Sequence, residues 1–302
     1  MAFNDWDEVR TAYQVARKGT VSGAAQALGV HHATVIRHVD SLEAKLGAKL
    51  FQRHARGYTP TEAGQDLLKV AQSTDDQLSQ LANRIKGRGD AVTGELIVTS
   101  LAVLAPLLSP ALAAFREEHP ELTVKFLTDE RLFRLEYGEA HVAIRAGNPP
   151  DQPDNVVQKF YLQDFALYAS KAYIAKHGRP ESLEDVGDHV FIGSAEETPR
   201  APFFAWMRSH IPERNVGYQI NQITAARPAV VAGLGIGFST TWMEAEEEGV
   251  EMVFAPRPEW NSQLWLVTHV DLHRTAKVQT FVRFLKDWSQ RWPVSTVGAG
   301  AG

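Results

Sequence analysis

Three glycines, Gly19, Gly29 and Gly47, cut the first fifty residues into three short helices, and this punctuation restricts the N-terminal fold more than any other feature of the chain. Trp6, Val9, Tyr13 and Ala16, with Val15 beside them, recur at helical spacing before Gly19 stops the run. Thr20 or Ser22 suits the cap of the next helix, which carries Ala24, Ala25, Ala27 and Leu28. Gly29 makes a short turn, and a third helix runs from near His31 to Leu46. Two helices joined by a glycine turn match the helix-turn-helix plan, in which the second member enters the major groove of DNA.

The third helix has two distinct faces. Val35, Val39, Leu42 and Leu46 form one apolar stripe for burial. Ala33, Arg37 and Asp40 lie opposite, flanked by Thr34 and Ile36. The helix begins with His31, His32, Ala33 and Thr34, and its free amides and dipole favour a phosphate there. Arg37 suits a guanine edge or a phosphate, and Ile36 suits a thymine methyl. Taken alone, the same segment also reads as a surface helix with a solvated arginine. Leu50 to Tyr58 then reads as a strand, a basic turn and a return strand. Such a wing places Arg53 and Arg56 on the flanking phosphate backbone.

The ordered set Ala24-Ala25, Leu28, Val35, Arg37, Leu42-Glu43, Leu46-Gly47, Leu50-Phe51-x-Arg53 and Thr59-x-Thr61-x-Ala63-Gly64 resembles the DNA-binding domain of the LysR-type transcriptional regulators. The resemblance implies a winged helix-turn-helix, a linker helix and an effector domain of two lobes. Family members commonly carry Gln or Ser where this chain has His32, and Ser where it has Ile36. Those departures bear on which DNA sequence is read, not on whether DNA is bound.

Thr59, Pro60 and Glu62 predict a helix start with Thr59 as its cap. Leu67, Ala71, Thr74, Leu78, Leu81 and Ile85 follow at alternating spacings of four and three, a heptad seam. A helix packed on its own domain is one reading. The narrow seam and the polar stretch Lys86 to Asp90 favour a contact between two chains through Leu67, Ala71, Leu78, Leu81 and Ile85.

From Gly94 onward strands and helices alternate in the order of a parallel, doubly wound α/β sheet. Strands are predicted at Leu96–Thr99, Leu122–Leu127, Val142–Ile144, Phe165–Ala169, Val190–Ile192, Tyr218–Ile220, Ile236–Ser239 and Leu264–Val270. Helices are predicted at Val103–Glu118, Leu132–Tyr137, Phe203–Arg208 and Arg227–Ala232, with a last one carrying Phe281, Leu285, Trp288 and Trp292. Ala140 to Arg145, Tyr173 with His177 to Pro180, and Gly233 to Gly237 resemble the family's effector domain, which is akin to periplasmic binding proteins. His141 stands where an Asp is usual. The expected domains are 1–58 (winged helix-turn-helix), 59–89 (linker and dimerisation helix) and 90–302 (effector-binding). The last divides into lobe I, about 90–160 and 268–293, and lobe II, about 161–267. The tail from Val294 is expected to be disordered.

In such folds ligands sit outside the C-terminal ends of strands, between the lobes. That rule selects Thr99, Ser100, Leu101, Thr128, Asp129 and Arg145 from one lobe and Ser194 and Thr224 from the other. Ser100 is expected to open a helix, where its hydroxyl and the following amides suit a carboxylate. Arg145 suits the same anion, or pairs with Asp129 or Glu130 instead. Each hydroxyl equally suits a helix cap.

The chain contains no cysteine, which excludes thiol catalysis, disulfides and thiolate metal sites. The helical-head histidines lack a completing ligand set, and no Ser-His-Asp elbow or carboxylate pair is readable, so no metal, cofactor or catalytic residue is assigned. No apolar run reaches the length of a membrane span and residues 1–7 are acidic, so a cytoplasmic location is expected. Residues 1–88 hold 12 Lys+Arg against 9 Asp+Glu, net +3, while the remainder is net −8. A basic head on an acidic body fits a DNA-binding module joined to a sensor. The expected partners are duplex DNA with dyad-related half-sites, a small-molecule effector, and further copies of the chain as a homodimer or homotetramer. RNA polymerase is left open as one more. Two other readings compete: a solute-binding protein or enzyme sharing the two-lobed fold, and an architectural DNA-binding protein whose large domain only oligomerises.

Overall fold

A computed structural model of the chain describes residues 6–54, 57–85, 92–129, 131–184, 186–244 and 249–293. The head begins with α1 (Trp6–Lys18), α2 (Val21–Leu28) and α3 (His32–Leu46). Gly29 and Gly47 both adopt the left-handed conformation that ends a helix without a Cβ clash. Thr20 caps α2 by accepting from the Gly23 amide at 3.0 Å. Val35, Val39 and Leu42 of α3 are fully buried against Val9, Ala12, Tyr13 and Val15 of α1. Two buried carboxylates fix this core. Glu8 accepts from Ser41 and Lys45, each at 2.6 Å, which ties α1 to α3. Glu43 accepts from the amides of Leu50 (2.9 Å) and Phe51 (3.3 Å) and from Lys49 (2.7 Å), which ties α3 to the wing.

The wing is the antiparallel pair β1 (Phe51–His54) and β2 (Gly57–Pro60). The linker helix α4 (Glu62–Ile85) follows and spans about 36 Å. Its cap is Thr61, not Thr59: the Thr61 hydroxyl accepts from the Gly64 amide at 3.2 Å and donates to the Lys49 carbonyl at 2.6 Å. Thr59 is a strand residue paired with Gln52. Gly64 is required because a Cβ there would meet the Leu50 carbonyl oxygen at 2.0 Å. The heptad seam divides along its length. Ala71 is buried and Leu67 half-buried in the head's own core, so they are not free for a second chain. Val70 (65%) and Leu78 (56%) are the exposed apolar residues on the described part of this helix. The side chains of Leu81 and Ile85 lie outside the described residues, as do Lys86 to Asp90 and the tail from Val294.

Lobe I contains β3 (Gly94–Ser100), α5 (Ala105–Glu118), β4 (Leu122–Thr128), β5 (Val142–Ala146) and β6 (Asn155–Gln163). Lobe II contains β7 (Phe165–Ser170), α6 (Lys171–His177), β8 (Phe191–Ser194), α7 (Pro202–His210), β9 (Val216–Ile220), α8 (Ala226–Val231), β10 (Gly237–Thr240), α9 (Thr241–Glu244) and β11 (Val250–Phe254). The chain then returns to lobe I with β12 (Ser262–His269), α10 (Val270–His273) and α11 (Ala276–Ser289). The lobe I sheet has the order β4-β3-β5-β12-β6. Its first pairings are parallel, but β12 is antiparallel to both β5 and β6, so the sheet is mixed and not wholly parallel as the element order suggests. Lobe II repeats the scheme: β8 is parallel to β9 and bridges Ile236 in parallel, while β7 is antiparallel to β10 and β11.

The crossings between lobes fall at Asp164 and between Phe254 and Ser262, because β6 and β12 both pair within the lobe I sheet. The expected divisions near Phe160 and Thr268 therefore move, and β12 passes from lobe II to lobe I. Leu132–Tyr137 is not a helix. Only a 3-10 turn forms at Leu135–Tyr137, ended by Gly138 at φ +66. Phe133 and Leu135 instead anchor an extended segment on the sheet face opposite α5 and α11.

In the head, burial pushes the Glu43 carboxyl up, but Lys49 and the Leu50 and Phe51 amides outweigh it and hold it below its ordinary range. The Glu8 carboxyl is likewise lowered, by Lys45 and Ser41. A lowered folded value adds stability that is complete above the ordinary pKa of 4.5 and is lost as the pH falls through the folded value. Glu43→Ala leaves two buried amides without their acceptor and should cost about 2–4 kcal/mol at neutral pH. Thermal denaturation at pH 7 and pH 3 checks this, and the gap between wild type and variant should narrow at the lower pH.

Candidate DNA interface and inter-lobe cleft

The exposed side of α3 gathers the residues singled out from the sequence. His31, His32, Ile36 and Arg37 are exposed and Thr34 is half-buried. Ile36 is 38% exposed, an apolar side chain held in solvent on an otherwise polar face. His31 occupies the N-cap position without making a side-chain cap bond, so no side chain of its own shields the helix N-terminus. Ser22, Gln26 and Gly29 of the preceding helix and turn border the same hollow. Arg53 behaves differently from its expected place on a phosphate. Its guanidinium bonds Asp40 and, at 3.2 Å, the buried Glu43 carboxylate, and it lies 5.3 Å from the Tyr58 ring centroid. A carboxylate that is 2% exposed needs a cation beside it, and Arg53 supplies part of that compensation. Arg56 lies outside the described residues.

The second site is a cavity of about 590 Å³ between the lobes, a usual size for a small-molecule pocket. The parallel strands β3, β4 and β5 run in register, so their C-terminal ends open on one edge of the sheet. That edge presents Thr99, Ser100, Leu101, Thr128, Asp129 and Arg145, and lobe II brings Ser194 and Thr224 to the opposite wall. All eight residues chosen from the sequence therefore line one cavity.

Their surroundings separate structural from available groups. The Ser194 hydroxyl accepts from the Glu196 amide at 3.1 Å, a local turn. Asp129 is engaged by Arg131 through the Arg131 amide and guanidinium. Ser100 is not a helix cap. It ends β3, and Leu101 occupies the cap position of the following 3-10 turn, Ala102–Leu104. The Ser100 hydroxyl, in a residue 4% exposed, has no hydrogen-bond partner among the described residues. The Gln163 side-chain amide nitrogen, at the crossing between lobes, is in the same state. Arg145 donates to the Phe133 carbonyl (3.1 Å) and to Gln152 (3.0 Å), both neutral, and not to Asp129. Its guanidinium has no carboxylate partner among the described residues, and burial lowers its pKa against the weaker pull of Glu136. Glu130 lies outside the described residues.

The sequence reading missed Arg131, Phe133, Gln163, Arg200 and Phe203, which also line the cavity. They lie on segments between regular elements (Arg131, Phe133, Arg200), in the first turn of α7 (Phe203) or at a strand end away from the edge that the sequence rule inspects (Gln163). Arg131 is not free, being bonded to Glu139 at 2.8 Å and stacked 4.0 Å from the Phe133 ring centroid.

Two family models cover most of the chain. Residues 6–65 match the bacterial regulatory helix-turn-helix protein of the lysR family, and residues 89–290 match the LysR substrate binding domain. The chain belongs to the LysR-type transcriptional regulators. This regulator is 30% identical to the HTH-type transcriptional regulator CrgA of Neisseria meningitidis over 193 residues, which are 63% of this chain and 64% of that protein. The match thus spans just under two thirds of CrgA. Similarity to the HTH-type transcriptional regulator DmlR of Escherichia coli is lower, at 25%, but extends over 93% of this chain and 94% of DmlR. Full-length OxyR of Pseudomonas aeruginosa has the same fold, with a TM-score of 0.72, 17% identity and 95% of each chain covered. The family is one of transcriptional regulators and not of enzymes.

In this regulator a buried Ser100 hydroxyl without a partner among the described residues costs stability. Removing a buried hydroxyl that lacks a partner is near neutral or stabilising. Ser100→Ala should therefore leave the thermal midpoint of the unliganded protein unchanged or raise it. A loss of more than about 1 kcal/mol would show that the hydroxyl has a structural partner.

Proposed function

We propose that this protein binds specific DNA through the exposed face of α3 and is controlled by a small molecule held between its lobes. The observation that carries the second half is the pairing of a Ser100 hydroxyl without a partner among the described residues with an Arg145 guanidinium whose hydrogen-bond acceptors among those residues, Phe133 and Gln152, are neutral. Both would gain from a carboxylate or another anionic or strongly polar group. The aromatic wall formed by Phe133, Phe165 and Phe203 suits an apolar body attached to that group. Convergent polar atoms of this kind favour a sensor over a large domain that serves oligomerisation alone.

On the DNA side, His32, Thr34, Ile36 and Arg37 read base edges in the major groove, and the uncapped start of α3 takes a phosphate. Arg56 contacts backbone phosphate, while Arg53 holds the wing in place. The protein acts in the cytoplasm, as a homodimer or a pair of dimers, on half-sites related by a dyad. RNA polymerase is the natural further partner of an activator bound in this way. No helix among the described residues is long and apolar enough to cross a membrane.

Arg37→Ala should weaken binding to the cognate site by about 1–3 kcal/mol with little effect on random duplex. A mobility-shift titration against both DNAs checks this, and equal losses on both would place Arg37 on phosphate. Chain pairing uses the exposed side of α4. Lysine at both Val70 and Leu78 should lower the oligomeric state in sedimentation, and an unchanged oligomer would place the contact elsewhere. The effector reading is tested by a thermal-shift screen of anionic metabolites on the full-length protein, since a ligand that binds the folded state raises its apparent stability. A hit should lose most of its shift in both Ser100→Ala and Arg145→Ala. Full shifts in both would move the site out of the cleft.

A further inference from the structure

The crossover from β4 to β5, residues 129–141, touches two places that the fold otherwise keeps apart. Its first part forms one wall of the cleft, through Asp129, Arg131, Leu132 and Phe133. Its last part grips the linker helix of the DNA head. The Gln72 carboxamide nitrogen lies 3.0 Å from His141 Nε2. Gln72 is 9% exposed and His141 2%. The grip is shaped for its occupant: Gly138 has φ +66, and a Cβ there would come within 1.8 Å of the end of the Gln72 carboxamide. Any other residue at 138 would be strained and would also displace the end of the Gln72 side chain from its place beside His141.

The chemistry of the pair sets its direction. The Ile97 amide donates to His141 Nδ1 at 2.7 Å, so the proton of the neutral ring sits on Nε2. The ring stays neutral because burial, and then the charges of Lys277, Arg17 and Lys125, drive its pKa well down. Nε2–H therefore donates to the Gln72 carboxamide, which turns its oxygen toward the ring. A second clasp joins head and lobe nearby, where Arg17 of α1 bonds Glu95 of β3 at 2.7 Å. The two parts of the crossover are themselves linked. One oxygen of Glu139 accepts from the Arg131 guanidinium and from the Arg134 amide, both at 2.8 Å. A single carboxylate thus joins a cleft-lining cation to the residue next to Gly138.

We propose that Gln72 and His141 are positioning residues that set the angle of the DNA head on lobe I, and that residues 131–139 carry a change in the cleft to that grip. The proposal rests on reading the cleft as the effector site. An anion that competes with Glu139 for Arg131 frees the carboxylate, and with it the turn that holds Gln72. The bistable element is the extended segment itself, which has one 3-10 turn and no continuous helix to stiffen it.

The angle can be read without operator or effector. The chain has no cysteine, so Cys substitutions at exposed Ala44 on α3 and Glu117 on α5 give one spin label on the head and one on lobe I. The labelled full-length chain is diluted into unlabelled chain, and the distance between the labels is measured by double electron–electron resonance. Gln72→Ala keeps a strong helix former in α4 and should fold normally. It should broaden and shift the distance, His141→Ala should do the same, and the double variant should add nothing to the larger of the two effects. Arg131→Ala and Glu139→Ala, which leave both Gln72 and His141 in place, should also shift the distance, whereas Asp66→Ala on the exposed side of α4 should not. A wild-type distance in folded Gln72→Ala overturns the grip. A response to Gln72→Ala but none to Arg131→Ala or Glu139→Ala overturns the transmission. Neither result bears on whether the protein binds DNA or an effector, which the titration and the screen decide separately.

Discussion

The pairing of Gln163 with Ser262 holds the two crossings between lobes side by side, and the cleft depends on it. Strands β6 and β12 run antiparallel up to this pair, and both leave lobe I at the same place. Relative motion of the lobes is thereby reduced to rotation about a short pair of connections, with neither sheet broken. The cores on either side are separate clusters, one centred on Phe191, Phe238 and Trp260 and the other on Leu96, Phe115 and Phe281. Ile223 packs partly against both, so little apolar surface opposes a change in their angle. The same juncture lines the cavity with Gln163 and Ser262, which places the hinge within reach of whatever occupies it.

The head is built on the opposite principle. Its core is small, and its geometry is fixed by buried carboxylates, each given several donors. Glu43 is central: one side chain takes two wing amides, Lys49 and Arg53. A carboxylate without those donors would be severely destabilising at that depth, so the group specifies one relation of wing to recognition helix. This explains why Arg53 serves the fold. Gly64 and Gly57 complete the arrangement by allowing close backbone approach, to Leu50 and to Gly19 respectively.

Where the sequence reading and the structure part, the reasons are local. Strand β6 has no clear signal in the sequence because the half-buried Gln158 and the exposed Lys159 interrupt its apolar positions, as happens on a strand at the edge of a sheet. Leu132 to Tyr137 has helical spacing, yet Phe133 and Leu135 gain more by burial against Ala143 and Val267 in an extended path. Ala71 sits at a seam position, but the head's core lies nearer than a second chain. In each case a short pattern was overridden by a tertiary contact that no window of residues contains.

The sequence by itself determined the order of the domains, the three helices of the head and their faces, and the strand ends that open on the cleft. Those follow from periodicity, from glycines where helices must stop, and from the rule that parallel strands end at a ligand site. Only the tertiary structure decided that β12 belongs to lobe I, that Arg53 turns inward to Glu43, and that the Ser100 hydroxyl is buried without a partner among the described residues. It alone brought Gln72 to His141, sixty-nine positions apart. The physical reason is common to all of these. Hydrogen-bond satisfaction and burial are properties of a site and not of a residue, and the site is assembled from segments whose meeting the chain's local pattern does not encode.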